Sequence, residues 1–398
     1  VVLAEGPTDV FQADLDNVEA LIASFQLLDQ EPLGIPRDQA LTLYESEPLI
    51  LDPAIAKESG SIQYISQVFS GLISFDADLT LSSELASEWR VSGDGTIYTF
   101  TIRENAQFHD GRPVTAEDFK YSWERAAAPS TFSPTVDTYL NDVVGVAEVL
   151  NGTATEISGL KVLDTRTLEV TIDAPKAYFL SKLTHPLTFV VDRTEVEAQI
   201  TETGEPWWVE PNGTGPFRLK EWDIERVIVM EANEDHYLTT PFVPYVVFRL
   251  YGLVPRLMYQ SGEIDVARVF SDELEEVRDA QNPLSAELVE TSELSVHYVG
   301  LQASTPPFDD PLVRRAFLLA TDRETLVREM FGDTVELAHG FLPPGLPGYD
   351  ANIADIPFDV EEAKRLLAES SYGGVENLPS MVYTTAGLPP QYVTTLIS

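Results

Sequence analysis

The stretch from Gly95 to Arg125, GTIYTFTIRENAQFHDGRPVTAEDFKYSWER, constrains the fold of this chain more than any other. Tyr98, Phe100 and Ile102 alternate with Thr99, Thr101 and Arg103, the period-two pattern of a strand with one buried face. His109-Asp110-Gly111-Arg112-Pro113 is turn chemistry, because glycine admits positive φ and proline presets its own φ. Thr115 can then cap a helix, with Asp118 three residues on in the capping-box position. Phe119 and Trp123, four apart, share one face of that helix. Taken alone, this run is a well-specified piece of α+β fold, and the mixed order of strands and helices along the chain argues for α/β or α+β lobes and not for a bundle or a sandwich.

The rest of the chain agrees with that class. Ala40–Tyr44 reads as a strand, Leu160–Leu163 and Thr167–Ile172 as a hairpin about Asp164-Thr165-Arg166, and Arg218–Glu231 as a strand pair. The last third turns helical. Asp310-Pro311 opens one helix, Asp322 caps a second, and Asp359, with Glu362 three residues on, caps a third that Gly373 can end. Val18–Asp29 has an amphipathic helical pattern, and Glu31-Pro32-Leu33-Gly34-Ile35-Pro36 reads as a linker. Residues 1–39 are therefore expected to be an N-terminal helix and linker, the end of an upstream element.

With 398 residues, two or three domains are expected. A net charge of −40, from 65 acidic against 25 basic residues spread along the chain, repels nucleic acid and anionic membranes. It is read first as a solubility or salt adaptation and second as an attraction for cationic ligands. There are no cysteines, hence no disulfides or thiolate metal sites. No run reaches the length of a membrane span, and no basic-then-apolar leader stands at the N-terminus.

Signals for catalysis are weak. The chain lacks a G-x-S-x-G elbow, a Walker A loop, an H-E-x-x-H helix and a G-x-G-x-x-G fingerprint. Asn212-Gly213-Thr214-Gly215-Pro216 leads into the strand Phe217-Arg218-Leu219 and so reads as a tight turn, since a phosphate loop opens a helix. The histidines His109, His185, His236, His297 and His339 are scattered, with no pair at metal-ligand spacing. No enzyme activity, cofactor or metal is expected.

Read in order, several motifs resemble those of the family 5 extracellular solute-binding proteins, the peptide-binding subunits of ABC importers. They are Leu51-Asp52-Pro53 with Phe69-Ser70-Gly71-Leu72, the Gly95–Arg125 segment, the hairpin within Gly159–Pro175, and Asn212–Trp222. Ser261-Gly262-Glu263-Ile264-Asp265 follows, and Pro306-Pro307-Phe308-Asp309-Asp310 with Val313-Arg314 and Asp322-Arg323 closes the series. The resemblance runs from about Gln39 to the last residue.

The resemblance implies two lobes joined by a hinge, with a peptide enclosed between them and handed to ABC permease subunits. Lobe I would comprise 40–69 and 193–294, with 70–192 as an inserted subdomain, and lobe II would be 295–398. The family continues beyond this point, so lobe II is expected to be incomplete, and a chain ending at Ser398 is expected to bind peptide poorly. A monomer in the periplasm or outside the cell is implied, and any lipid-anchoring cysteine would lie outside this sequence. By position in the motifs, the ligand contacts would be Lys57, Glu58 and Ser59, then Thr135, then Arg268 and Val269, then His297 and Tyr298. His297 and Tyr298 would face opposite ways if their segment is a strand. Thr135 stands where close relatives use a tyrosine, which implies a different pocket. The fold motifs leave the ligand open: an oligosaccharide, for which the adjacent Trp207 and Trp208 could serve as platforms, or a metal chelate are alternatives. A sensor or adaptor, or a peptidase on the same scaffold, are the other classes.

Overall fold

The computed structural model describes residues 34–199, 204–252, 254–291, 293–331, 334–346 and 348–382. The Val18–Asp29 helix expected above lies outside them. The chain divides into two compact units, Val1–Arg268 and Val269–Ser398. The strands, in chain order, are β1 (Ala40–Tyr44), β2 (Ile73–Phe75), β3 (Leu81–Ser83), β4 (Ala86–Val91), β5 (Ile97–Ile102), β6 (Leu160–Asp164), β7 (Thr167–Thr171), β8 (Phe217–Asp223), β9 (Val227–Ala232) and β10 (Tyr245–Arg249). The helices of two turns or more are α1 (Ser59–Val68), α2 (Ala116–Ala127), α3 (Ser271–Arg278), α4 (Pro311–Ala320), α5 (Arg323–Phe331) and α6 (Val360–Glu369).

The signature segment folds as its pattern predicts. In the antiparallel sheet β4-β5-β7-β6, Tyr98 and Phe100 of β5 stand opposite Val170 and Leu168 of β7, and all four are buried. Cross-strand apolar pairs of this kind hold the register. α2 covers this face with Phe119 and Trp123, both fully buried, and the Trp123 indole donates to the Thr188 carbonyl at 2.8 Å. The capping box is complete: the Thr115 hydroxyl accepts from Asp118 N and the Asp118 carboxylate accepts from Thr115 N.

The second sheet has the order β1-β10-β9-β8 and is parallel only at β1-β10. Successive β9 residues Ile228, Val229 and Met230 are all buried, the mark of a strand covered on both faces. Tyr64, Ile65 and Val68 of α1 pack with Ile228 and Met230 on one side, and Ile35 packs with Val229 and Val247 on the other. The presumed linker is thus docked from Ile35 onward. Its proline and glycine mark irregular backbone, which is compatible with tight packing. Arg37 grips both Asp265 oxygens at 2.7 and 2.8 Å, and Asp265 in turn accepts from Thr42 N and donates its own N–H to Thr42 O. The Ser-Gly-Glu-Ile-Asp motif therefore covers the exposed edge of β1.

The Asn212–Pro216 turn locks these parts together. Thr214 N and Gly215 N both donate to Val68 O, at 3.0 and 2.8 Å, and the Thr214 hydroxyl accepts from Ser70 N. The turn thus satisfies a carbonyl at the end of α1 that has no partner within the helix. On its other side, His109 N donates to Gly213 O at 2.8 Å and Asp110 N donates to Asn212 Oδ1 at 3.0 Å. Arg112 bridges Asp118 and Asp192, and Asn212 donates to Asp192 and Glu195.

Burial pushes the Glu195 carboxyl up to about 7, against the lowering bond from Asn212 N, with Asp192, Asp110 and Glu210 adding to the rise. Its unfolded value is near 4.5, so between these two pH values folding takes up a proton. The stability this group contributes is full below about 4.5 and is lost as pH rises through about 7. His109 and His185, both lowered by burial to about 4, act with the opposite sign: their contribution is full above 6.5 and is lost as pH falls through about 4. We expect Glu195→Gln to melt progressively higher than the parent protein from pH 5 to pH 8, since glutamine accepts the same Asn212 bond without ionising. A pH-independent difference in melting temperature would contradict this assignment.

In the second unit, α4 and α6 bury Ala316, Leu319, Ala363 and Leu366 against each other. The caps fall where the sequence places them: Asp310 accepts from Leu312 N, Asp322 from Thr325 N and Asp359 from Glu362 N. α6 stops at Glu369 with Ser370 as C-cap, and Gly373, at φ 71°, serves the following turn.

Candidate functional site

The loop carrying Lys57, Glu58 and Ser59 is anchored from beneath. Asp52 is buried, and Arg125 at the end of α2 grips both its carboxylate oxygens, the Nη1–Oδ1 bond measuring 2.9 Å. Asp52 Oδ1 also accepts from Ala54 N at 3.0 Å, which sets the turn after it. The Arg125 guanidinium lies over the Trp207 ring at 5.4 Å. Trp207 is buried and packs edge-on against Phe69, while Trp208 packs against Trp222, so these tryptophans build core rather than a sugar platform.

On this base Lys57 and Ser59 are exposed, and the Lys57 ammonium has no ion-pair partner among the described residues. Glu58 is engaged. Its carboxylate accepts from the Ser61 hydroxyl, and that hydroxyl oxygen accepts from Leu49 N and Ile50 N at 3.0 and 3.2 Å. Burial raises the Glu58 carboxyl, but the bonds from Ser61 and nearby backbone outweigh it and leave the group below its ordinary value. Glu58 thereby fixes the approach of the chain to α1.

Thr135 precedes the one-turn helix Val136–Tyr139. Its hydroxyl oxygen is buried and has no hydrogen-bond partner among the described residues. The same segment is tied to the Asp52 pair, since the Thr131 hydroxyl donates to Arg125 O at 2.6 Å. Lys57–Ser59 and Thr135 are thus linked through one buried ion pair. Arg125, which makes that link with Asp52, and Ser61, which holds Glu58, have no signal in the sequence beyond a buried acid that requires a partner.

Arg268 is exposed and Val269 half-buried, in irregular chain before α3. His297 and Tyr298 lie in irregular chain and not in a strand, so alternation does not separate them: both are exposed. The His297 ring sits 5.3 Å from Phe331 and the Tyr298 ring 5.5 Å from Phe341. No group of three or more His, Asp or Glu side chains among the described residues is placed to hold a metal. Among the described residues no helix is long and apolar enough to cross a membrane.

Residues 80–396 match the model for bacterial extracellular solute-binding proteins, family 5, middle region. The chain belongs to this family. It is 31% identical over 377 residues to the periplasmic oligopeptide-binding protein OppA of Escherichia coli, covering 90% of this chain and 68% of OppA. It is 31% identical over 309 residues to the dipeptide-binding protein DppE of Bacillus subtilis, covering 76% of this chain and 55% of DppE. Its structure is similar to that of the murein tripeptide binding protein MppA of Escherichia coli, with a TM-score of 0.72 and 28% identity over 84% of this chain and 67% of MppA. The chain thus spans between about half and two thirds of the length of these relatives. The family membership accounts for the order of motifs from Leu51-Asp52-Pro53 to the α4 helix, and its fold is the mixed α/β one read from the signature segment.

Proposed function

We propose that this chain is part of an extracytoplasmic substrate-binding subunit of an ABC importer that captures peptides and delivers them to a permease. The observation that carries the reading is the 377-residue match to a periplasmic oligopeptide-binding protein, supported by the likeness to a tripeptide-binding structure. Peptide main chains offer a repeating set of donors and acceptors, so a binder of this kind needs exposed polar groups on a rigid base more than it needs a charged pocket. The role is one of binding and not of catalysis, in a monomer located in the periplasm or outside the cell.

Lobe I comprises 40–69 with 193–294 around the inserted subdomain 70–192, an assignment supported by the pairing of β1 with β10 across that insertion. Lobe II is proposed to begin at 295, which assigns the first part of the second compact unit, 269–294, to lobe I. Lys57, Ser59, Thr135, Arg268, Val269, His297 and Tyr298 are the proposed ligand contacts, with Glu58 positioning the first loop through Ser61.

Thr135 gives the sharpest test. Its hydroxyl oxygen is buried and bonds to no described protein group, so it is open to a hydrogen bond with a ligand main chain. In the full-length protein, Thr135→Val is expected to leave unliganded stability unchanged or slightly higher. Peptide affinity, measured calorimetrically, is expected to fall roughly 2- to 12-fold, the value of one net hydrogen bond. Unchanged affinity would remove Thr135 from the site.

A further inference from the structure

Arg323, the first residue of α5, clasps a long loop of the second unit at both ends. Its guanidinium donates to Ala338 O at 3.1 Å, to Ile356 O at 2.9 Å and to Asp355 Oδ1 at 2.6 Å. A planar guanidinium holds several acceptors at once in fixed directions. Residues 338–356 thus leave and return to one anchor. Within them, Pro343 and Pro344 preset the backbone just after Phe341 and Leu342. Loops fixed to a scaffold in this way are the usual carriers of binding side chains.

The loop lies against the segment that carries Tyr298. The centroids of the Phe341 and Tyr298 rings are 5.5 Å apart and the rings are tilted by 59°, an arrangement that aromatic pairs prefer. A little upstream of Tyr298, Leu294 Cδ2 stands 3.2 Å from where a Cβ on Gly345 would lie, so loop and segment meet at a second point. Both rings keep an open side: Tyr298 is 70% and Phe341 71% exposed. Aromatic side chains offer a large contact area and lose little freedom when they use it. The tilt makes the pair a wedge. A sugar ring stacks on one flat face, whereas a wedge meets an inserted side chain with the face of one ring and the edge of the other.

We propose that Phe341 is a further ligand contact, forming with Tyr298 an aromatic wedge for a large apolar or aromatic side chain of the captured peptide, and that Arg323 positions it by closing the loop. The proposal rests on the peptide-capture reading above and names the peptides that such a site favours. Main-chain hydrogen bonds are blind to side chains, so the wedge supplies a preference that they lack.

The test takes the full-length protein, stripped of ligand, and incubates it with a randomised pool of tri- to pentapeptides; the retained peptides are released and sequenced. The parent protein is expected to enrich phenylalanine, tyrosine, tryptophan and leucine at one peptide position by roughly 2- to 12-fold, the worth of one aromatic contact. Phe341→Ala is expected to retain peptides but lose this enrichment, and Phe341→Tyr to keep it. Arg323→Gln, which frees the loop ends and leaves both rings in the chain, is expected to lower it. No enrichment in the parent protein, or enrichment unchanged in Phe341→Ala or in Arg323→Gln, would overturn the proposal and leave the peptide reading standing. Loss of all peptide retention in Phe341→Ala would assign that ring to the fold and overturn the proposal too. A parent protein that retains no peptide at all would overturn the peptide reading and this proposal with it.

Discussion

Gly213→Ala is expected to destabilise the first unit by about 3 kcal/mol, the upper range for forcing an atom into a packed site. A Cβ at this position would lie 1.9 Å from Val68 O and 2.8 Å from Val68 C, both backbone atoms that cannot swing aside. The strain would fall on the turn whose Thr214 and Gly215 N–H groups satisfy the end of α1, and whose Gly213 carbonyl receives His109 N. Relief would require α1 and the signature turn to separate. Gly93→Ala is the control. That glycine is exposed, has no atom within 4 Å of a Cβ, and is expected to change stability by no more than about 0.5 kcal/mol. Urea unfolding of the two variants measures the contrast. Equal stabilities would show that the turn does not brace the fold.

The second large effect is expected at Asp52. Its side chain is 2% exposed and that of its partner Arg125 is 15% exposed, so Asp52→Ala strands a largely buried guanidinium. Breaking such a pair costs about 3–5 kcal/mol, more than the pair itself contributes, because the desolvated charge is left uncompensated. The double variant Asp52→Ala with Arg125→Met is accordingly expected to be more stable than Asp52→Ala alone, a coupling that a double-mutant cycle reads directly. Asp52 also sets the turn leading to Lys57, so the single variant is expected to weaken ligand binding in proportion to the loosening of that loop. Additive effects of the two substitutions would rule out the coupling.

These two sites show where the sequence was legible. Local patterns carry the elements: the alternation of Tyr98, Phe100 and Ile102, the Thr115–Asp118 box and the Asp310, Asp322 and Asp359 caps are all decided within a few residues and all appear in the structure. What joins the elements is not local. The Asn212–Pro216 turn was recognisable as a turn, but nothing in it announces that it caps α1, because Val68 lies far away in the chain. Asp52 and Arg125 are likewise joined only by the fold. Ile35 reads as part of a linker for the same reason, since its burial depends on Val229 and Val247. In the candidate site, motif position named Lys57, Glu58, Ser59 and Thr135, yet only the structure separates the engaged Glu58 from the unpartnered Thr135 hydroxyl.

The central claim is that this chain belongs to a peptide-capturing subunit. The most direct measurement is native mass spectrometry of the full-length protein as isolated from its source, followed by denaturation and sequencing of whatever is released. The account predicts bound mass that resolves into peptides. A released oligosaccharide or metal chelate, with no peptide present, would contradict it.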